Sequence, residues 1–187
     1  RGGAYTLTRL TLTKLAYETK DIEEFINVIL PDCIECITRY ENDRVSFLVE
    51  KSGFFESSFL VDEGLIDRNR FVIMFGVTGL AECVNKLLED KGLKYGRDEE
   101  ADKLAQRIMD KVRDEVGKYK ARYSPLTNNK FMLHAQVGLD SDIGVTSGVR
   151  IPVGDEPESF VAHLKHSAIF HKYFPAGVGD IFPIAPN

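Results

Sequence analysis

A surplus of positive charge, a long apolar run and a cysteine framework are all missing from this sequence of 187 residues. The formal net charge is −5. A chain without basic excess has little to offer a phosphate backbone, which excludes the ordinary nucleic-acid binders. No window approaches the 18 or so apolar residues that a membrane-spanning helix needs, roughly, and the opening RGGAYTLTRL has no signal-peptide core. Three cysteines are too few for a disulfide scaffold and fit a reducing cytoplasm. The glycines and prolines are dispersed, so no linker or low-complexity stretch divides the chain. What is present is ordinary globular material, 43% hydrophobic and 28% charged, enough for one domain with a real core. The chain opens on Arg1 and stops in the Pro-punctuated run DIFPIAPN, which reads as a piece of a longer protein.

The pattern predicts a single α/β domain over residues 1–187. AYTLTRLTLTKL, residues 4–15, reads as a strand rich in Thr and Leu. Thr19 or Asp21 caps a long helix whose apolar stripe runs through Ile22, Phe25, Ile26, Ile29, Cys33, Ile37 and Tyr40, with a kink at Pro31 and an end near Gly53. A short helix follows around Phe55, Phe59 and Leu60. Residues 70–77 read as a strand running into a helix over 80–91, which Gly92 ends. Ala101, Leu104, Ala105, Ile108, Met109, Val112 and Val116 mark an amphipathic helix. FMLHAQVG, residues 131–138, is a further strand; a Gly-rich loop with a short strand over 149–153, a helix over 157–166 and a strand over 179–184 complete the expectation. Long helices between strands imply parallel pairing.

Each chemical motif has a plainer competitor. Gly76, Val77, Thr78 and Gly79 lack both the P-loop lysine and the dinucleotide glycine spacing, so the turn reads as a close backbone junction and not a phosphate cradle. Cys33 and Cys36 form a CxxC, but it lies inside a helix, away from the N-terminus that would activate a thiol. Cys83 stands 47 residues from Cys36, so a four-ligand zinc site has no second pair. All three cysteines are expected to be buried and metal-free. His163 and His166, three apart on a helix, could share a metal with the nearby Asp140, Asp142 and Asp155. Surface or loop histidines are the plainer reading for these and for His171. The stretch from Asp140 to Ile151 fails the calcium-loop spacing, with Gly144 fifth and Ile151 twelfth. On the strand FMLHAQVG, Met132, His134 and Gln136 share one face while Leu133, Ala135 and Val137 share the other. Arg150, beyond the Gly-rich loop, is suited to clamp a carboxylate or phosphate, or else to fix its own loop by pairing with Asp155 or Glu156.

Taken in order, RGGAYTLTRLTLTKLA, SGFFESSFLVDEGLIDRNRFVIMFGVTGLAECVNKLL, HAQVGLDSDIGVTSGVRIPVGDEP and HKYFPAGVGDIF resemble the glycyl radical enzyme superfamily, in its YjjI-type branch. The stretch GVTGLAECVN also resembles a segment of anaerobic ribonucleotide reductases. The resemblance implies part of a ten-stranded α/β barrel enclosing a cysteine loop and a glycine loop. It implies a glycyl radical, installed by a separate S-adenosylmethionine and iron–sulfur activase, and a thiyl radical that takes hydrogen from a small-molecule substrate. An anaerobic cytoplasmic enzyme follows, with a homodimer admitted. No glycine here fits the R-V-x-G-aromatic pattern of the radical loop, and the radical cysteine is expected ahead of Arg1. No catalytic residue and no metal ligand is therefore expected within this chain, and it is expected to be inactive alone. The substrate-binding candidates are His134, Gln136 and Arg150, facing the barrel interior; a polar network tying strand to loop is the competing reading. Three other functions remain in play: an anaerobic ribonucleotide reductase fragment, a His-dependent metal hydrolase and a non-catalytic interaction domain.

Overall fold

The computed structural model describes residues 1–19, 21–135 and 144–182. Three parallel strands, β1 (Ala4–Thr11), β2 (Val72–Thr78) and β3 (Met132–Ala135), form a sheet in the order β1-β2-β3. Parallel neighbours demand crossovers, and the helices supply them. Between β1 and β2 run α1 (Leu12–Leu15), α2 (Ile22–Glu24), α3 (Leu30–Glu50) and α4 (Phe59–Asp62); between β2 and β3 run α5 (Leu80–Leu87) and α6 (Glu99–Val116). α7 (Phe160–Phe170) follows β3. No helix among the described residues is long and apolar enough to cross a membrane.

The helix over Glu99–Val116 folds as its pattern predicts. Every apolar position of the α6 stripe is buried, and Gly92, at φ +66°, ends the short 3-10 turn that extends α5. Asp21 caps α2, its carboxylate accepting from the N–H groups of Glu23 and Glu24 at 2.8 and 3.1 Å. On the sheet, Ile73, Phe75, Val77, Leu133 and Ala135 are buried on one face. The other face carries Leu7, 38% exposed, the exposed Arg9, and the half-buried Met74, Met132 and His134.

Four expectations need correction. First, the N-terminal strand stops at Thr11, and Leu12–Leu15 turn into helix. Second, the apolar stripe of the long helix slips by one residue. A π-helical turn over Phe25–Ile29 precedes Pro31, which has no N–H to give to the carbonyl four residues back. The extra residue rotates everything after it, so α3 buries Leu30, Ile34, Thr38, Glu41, Val45 and Val49, while Tyr40 is exposed. The cysteines turn with it: Cys33 is half-buried and Cys36 exposed, with Cys83 alone fully buried. Third, 149–153 is irregular chain and 179–182 forms no strand; 183–184 lie outside the described residues. The glycines at 148 and 154, both at positive φ, bend the first of these segments away from strand geometry. Fourth, α7 starts three residues later than expected, at Phe160, with Ser159 as its cap accepting from the Ala162 N–H at 3.4 Å.

Candidate functional site

The C-terminal ends of parallel strands are where α/β proteins place their chemistry. At that end of β2, Gly79 is the N-cap of α5 at φ +76°. The Thr13 hydroxyl donates to the Gly79 carbonyl at 3.1 Å, and a Cβ on Gly79 would sit 2.1 Å from that hydroxyl oxygen. The Gly79 N–H donates to the Thr146 carbonyl at 2.9 Å, which also accepts from the Thr78 hydroxyl at 3.1 Å. Glu82, on the first turn of α5, accepts from the Thr146 N–H at 2.7 Å and from its hydroxyl. The turn is a three-way junction of β2, α1 and the segment at Thr146, and its Gly79 N–H is already given to the Thr146 carbonyl.

The segment from Thr146 leads to Arg150, which is buried at 4% exposure. Tyr95, fully buried, donates its hydroxyl to the Val149 carbonyl, and Gly96 at φ +81° lets Ile151 pack where a Cβ would come within 2.6 Å of its side chain. The Arg150 Nη1 donates to the Ile151 carbonyl at 3.3 Å. The backbone carbonyls of Asp155 and Glu156 are held by Arg97, whose Nε and Nη2 donate to them at 3.0 and 3.3 Å.

His134 stands on β3 directly opposite Gly76 of β2. It is half-buried, its Nδ1 is buried with no hydrogen-bond partner among the described residues, and burial holds its pKa below the usual imidazole value. Strand alternation thus places Met132 and His134 on the face opposite Leu133 and Ala135, as the sequence implies. Gln136, together with Asp140 and Asp142, lies outside the described residues.

The histidines of α7 are neither surface nor loop groups. His163 and His166 are 3% and 4% exposed. His163 Nε2 lies 3.1 Å from Asp180 Oδ2, and His166 Nδ1 lies 3.1 Å from Asp102 Oδ2. Each is turned to its own carboxylate, so the pair clips α7 to α6 on one side and to the C-terminal segment on the other. Among the described residues no group of three or more His, Cys, Asp or Glu is placed to hold a metal ion. Burial raises the thiol pKa of Cys33, and with greater force that of Cys83, so neither is an activated nucleophile.

Sequence reasoning missed two groups at this sheet, one on β1 and one on α3 against it. Arg9 lies on the same face as His134, a consequence of Leu7 and Arg9 alternating against Thr8 and Leu10 that the Thr-rich texture concealed. Glu41, fully buried, accepts the outward-facing N–H of Thr8 on β1 at 3.0 Å. Nothing in the polar string around Glu41 announces burial.

Comparison with known proteins gives the family. The model of the glycyl radical enzyme YjjI-like family matches residues 1–187. An uncharacterized protein of Haemophilus influenzae is 44% identical over 186 residues, which is 97% of this chain and 36% of that protein. The uncharacterized protein YjjI of Escherichia coli is 40% identical, over 98% of this chain and 35% of its own length. The chain therefore spans about a third of the length of these relatives. Among solved structures, the anaerobic ribonucleotide reductase of Thermotoga maritima with citrate in the active site superposes with a TM-score of 0.71 at 17% identity, covering 94% of this chain and 34% of that one. The same enzyme in complex with dATP and CTP gives 0.71 at 18% identity, over 94% and 31%. At that identity the likeness is one of fold, a parallel α/β arrangement within a much larger chain. From its first residue to its last, the chain belongs to the YjjI-like glycyl radical enzyme family.

Proposed function

We infer that this chain forms part of the wall of a ten-stranded catalytic barrel in a larger glycyl radical enzyme. That enzyme acts on a small-molecule substrate through a thiyl radical, in an anaerobic cytoplasm. The glycyl radical is installed by a separate S-adenosylmethionine and iron–sulfur activase. The carrying observation is the family match over residues 1–187 combined with a sheet that has one packed and one open face among the described residues. A closed barrel turns one face of every strand inward, and the open face is the one that carries His134. In this reading His134 and Gln136 line the substrate pocket and Arg150 borders it at the strand ends.

The residues of this chain have a structural and binding role. Cys33 and Cys36 lie on the outer turns of α3, and Cys83 is sealed inside α5. The thiyl-bearing cysteine and the radical glycine belong to the rest of the protein, which in the relatives is about two-thirds of the length. The ribonucleotide reductases share the fold at under 20% identity, which gives no ground for a nucleotide substrate here.

The pocket is tested without knowing the substrate. In the full-length protein with Met132 replaced by Cys, a small methanethiosulfonate will label Cys at that position while a maleimide carrying a long polyethylene glycol will not. Equal labelling by both would place this face on the outer surface. Protection from both would make it packed core, and the pocket reading would fall.

A further inference from the structure

The register of the three strands aligns residues far apart in sequence into rows across the open face. Leu7 pairs with Met74, and Met74 with Met132; Arg9 pairs with Gly76, and Gly76 with His134. One row is apolar from end to end. The next carries a cation at one end, a glycine in the middle, and at the other end a ring whose buried Nδ1 has no hydrogen-bond partner among the described residues. With strands about 4.8 Å apart, the Cα atoms of Arg9 and His134 are about 10 Å apart, and because position 76 carries no side chain, those of Leu7 and Arg9 reach over it toward His134. Gly76 cannot be filled: a Cβ there would lie 2.8 Å from the Thr8 carbonyl oxygen, 3.0 Å from a Leu7 methyl and 3.3 Å from the Arg9 stem. Those contacts show the Leu7 and Arg9 side chains leaning over the glycine on this face. Beyond the row, Thr78 is buried and its hydroxyl is committed to Thr146, so that end is closed.

We propose that Arg9 and His134, facing each other across Gly76, bind the oxyanion head of a small organic acid or phosphate whose apolar body lies along Leu7, Met74 and Met132. Arg9 makes no hydrogen bond or ion pair among the described residues, and its guanidinium supplies the planar pair of donors that a carboxylate or phosphate matches. His134 brings a second donor. Burial lowers its pKa below the usual imidazole value, and an anion arriving within hydrogen-bond reach offsets that burial and favours the protonated, doubly donating form. The apolar row selects an anion with a short hydrocarbon part over a hydrated inorganic ion. The mirror arrangement, in which an acidic side chain of the rest of the protein occupies the notch, is the alternative that the test must separate.

This proposal rests on the pocket reading, and the two fail differently. The test uses the full-length protein with histidine rings labelled with carbon-13, the His134 signal being assigned by its loss in His134→Asn. Butyrate and inorganic phosphate are the probes. Saturating butyrate should raise the His134 pKa by about one unit, and Arg9→Gln should weaken butyrate binding roughly tenfold, with Arg9→Lys between the two. A larger response to phosphate than to butyrate would identify a phosphorylated ligand and keep the clamp. A His134 signal that neither probe moves, or that moves equally in Arg9→Gln, would overturn the proposal. If the Cys introduced at position 132 is meanwhile reached by the small reagent only, the pocket stands and the clamp alone is refuted. If that position is sealed to both reagents, the pocket reading itself has failed.

Discussion

Replacing Gly79 by alanine will destabilise the protein by roughly 3 kcal/mol. Two penalties combine. The backbone at φ +76° is left-handed, which by itself costs a side-chain-bearing residue about 1–2 kcal/mol. The added Cβ would also arrive 2.1 Å from the Thr13 hydroxyl oxygen and 3.2 Å from the Thr13 backbone nitrogen. The nitrogen belongs to main chain, so a rotamer change at Thr13 cannot relieve both contacts. Moving α1 aside would break the hydrogen bond from Thr13 to the Gly79 carbonyl and disturb the Thr146 segment held by the same turn. Gly92 is the internal control: its φ is +66°, and a Cβ there meets nothing within 4 Å. Gly92→Ala should therefore lose only the conformational part, about 1 kcal/mol. Urea denaturation of the two variants checks this, and equal losses would show that the junction is looser than its contacts imply.

Between pH 5 and 8, about, Glu41 will make the protein progressively less stable, and Glu41→Gln will remove that loss. Burial is the main cause of its raised pKa, about 7 against an ordinary 4.5; hydrogen bonds from Thr8 and the charge of Arg44 pull the other way. The sign follows from proton binding. The folded state holds its proton more tightly than the unfolded chain, so the favourable contribution is complete below about pH 4.5 and is lost as the pH rises through about 7. The full swing for such a shift is roughly 3 kcal/mol. A glutamine side chain keeps an oxygen for the Thr8 N–H and carries no charge at any pH. The difference in urea midpoint between wild type and Glu41→Gln should widen in favour of the variant as pH rises. A difference that stays constant with pH would mean that Glu41 is solvated in the whole protein.

Both predictions depend on features of different legibility in the sequence. The α6 stripe was readable because seven apolar residues repeat at helical spacing with nothing to interrupt them. The same reading applied to α3 selected Cys33, Ile37 and Tyr40, one residue out of phase with the buried set, because a π-turn is invisible to a fixed 3.6-residue period. That single inserted residue exposed Cys36 and buried Glu41. Gly79 was legible as a close junction from its place between an apolar run and a helix start, but its partner Thr13 comes from 66 residues away. The alternation on β3 puts His134 on the face opposite Leu133 and Ala135, as the structure has it. Its row-mates Arg9 and Gly76 depend on strand register, which non-local pairing sets and local pattern does not. The α7 histidines misled for a related reason: their carboxylate partners, Asp102 and Asp180, lie on other segments, and burial follows from those pairings.

We propose that the radical-bearing residues of the glycyl radical enzyme this chain belongs to lie elsewhere in the protein. The direct measurement is anaerobic electron paramagnetic resonance of the full-length protein after incubation with its activase, S-adenosylmethionine and a reductant. Brief exposure to air then follows, with mass analysis of the products, since oxygen cleaves a peptide chain at a glycyl radical. The account predicts the doublet of a carbon radical bearing one α-hydrogen, and a single cleavage outside the 187 residues described by this sequence. Consumption of S-adenosylmethionine by the activase with no radical on the protein, or cleavage at one of the glycines within this chain, would contradict it.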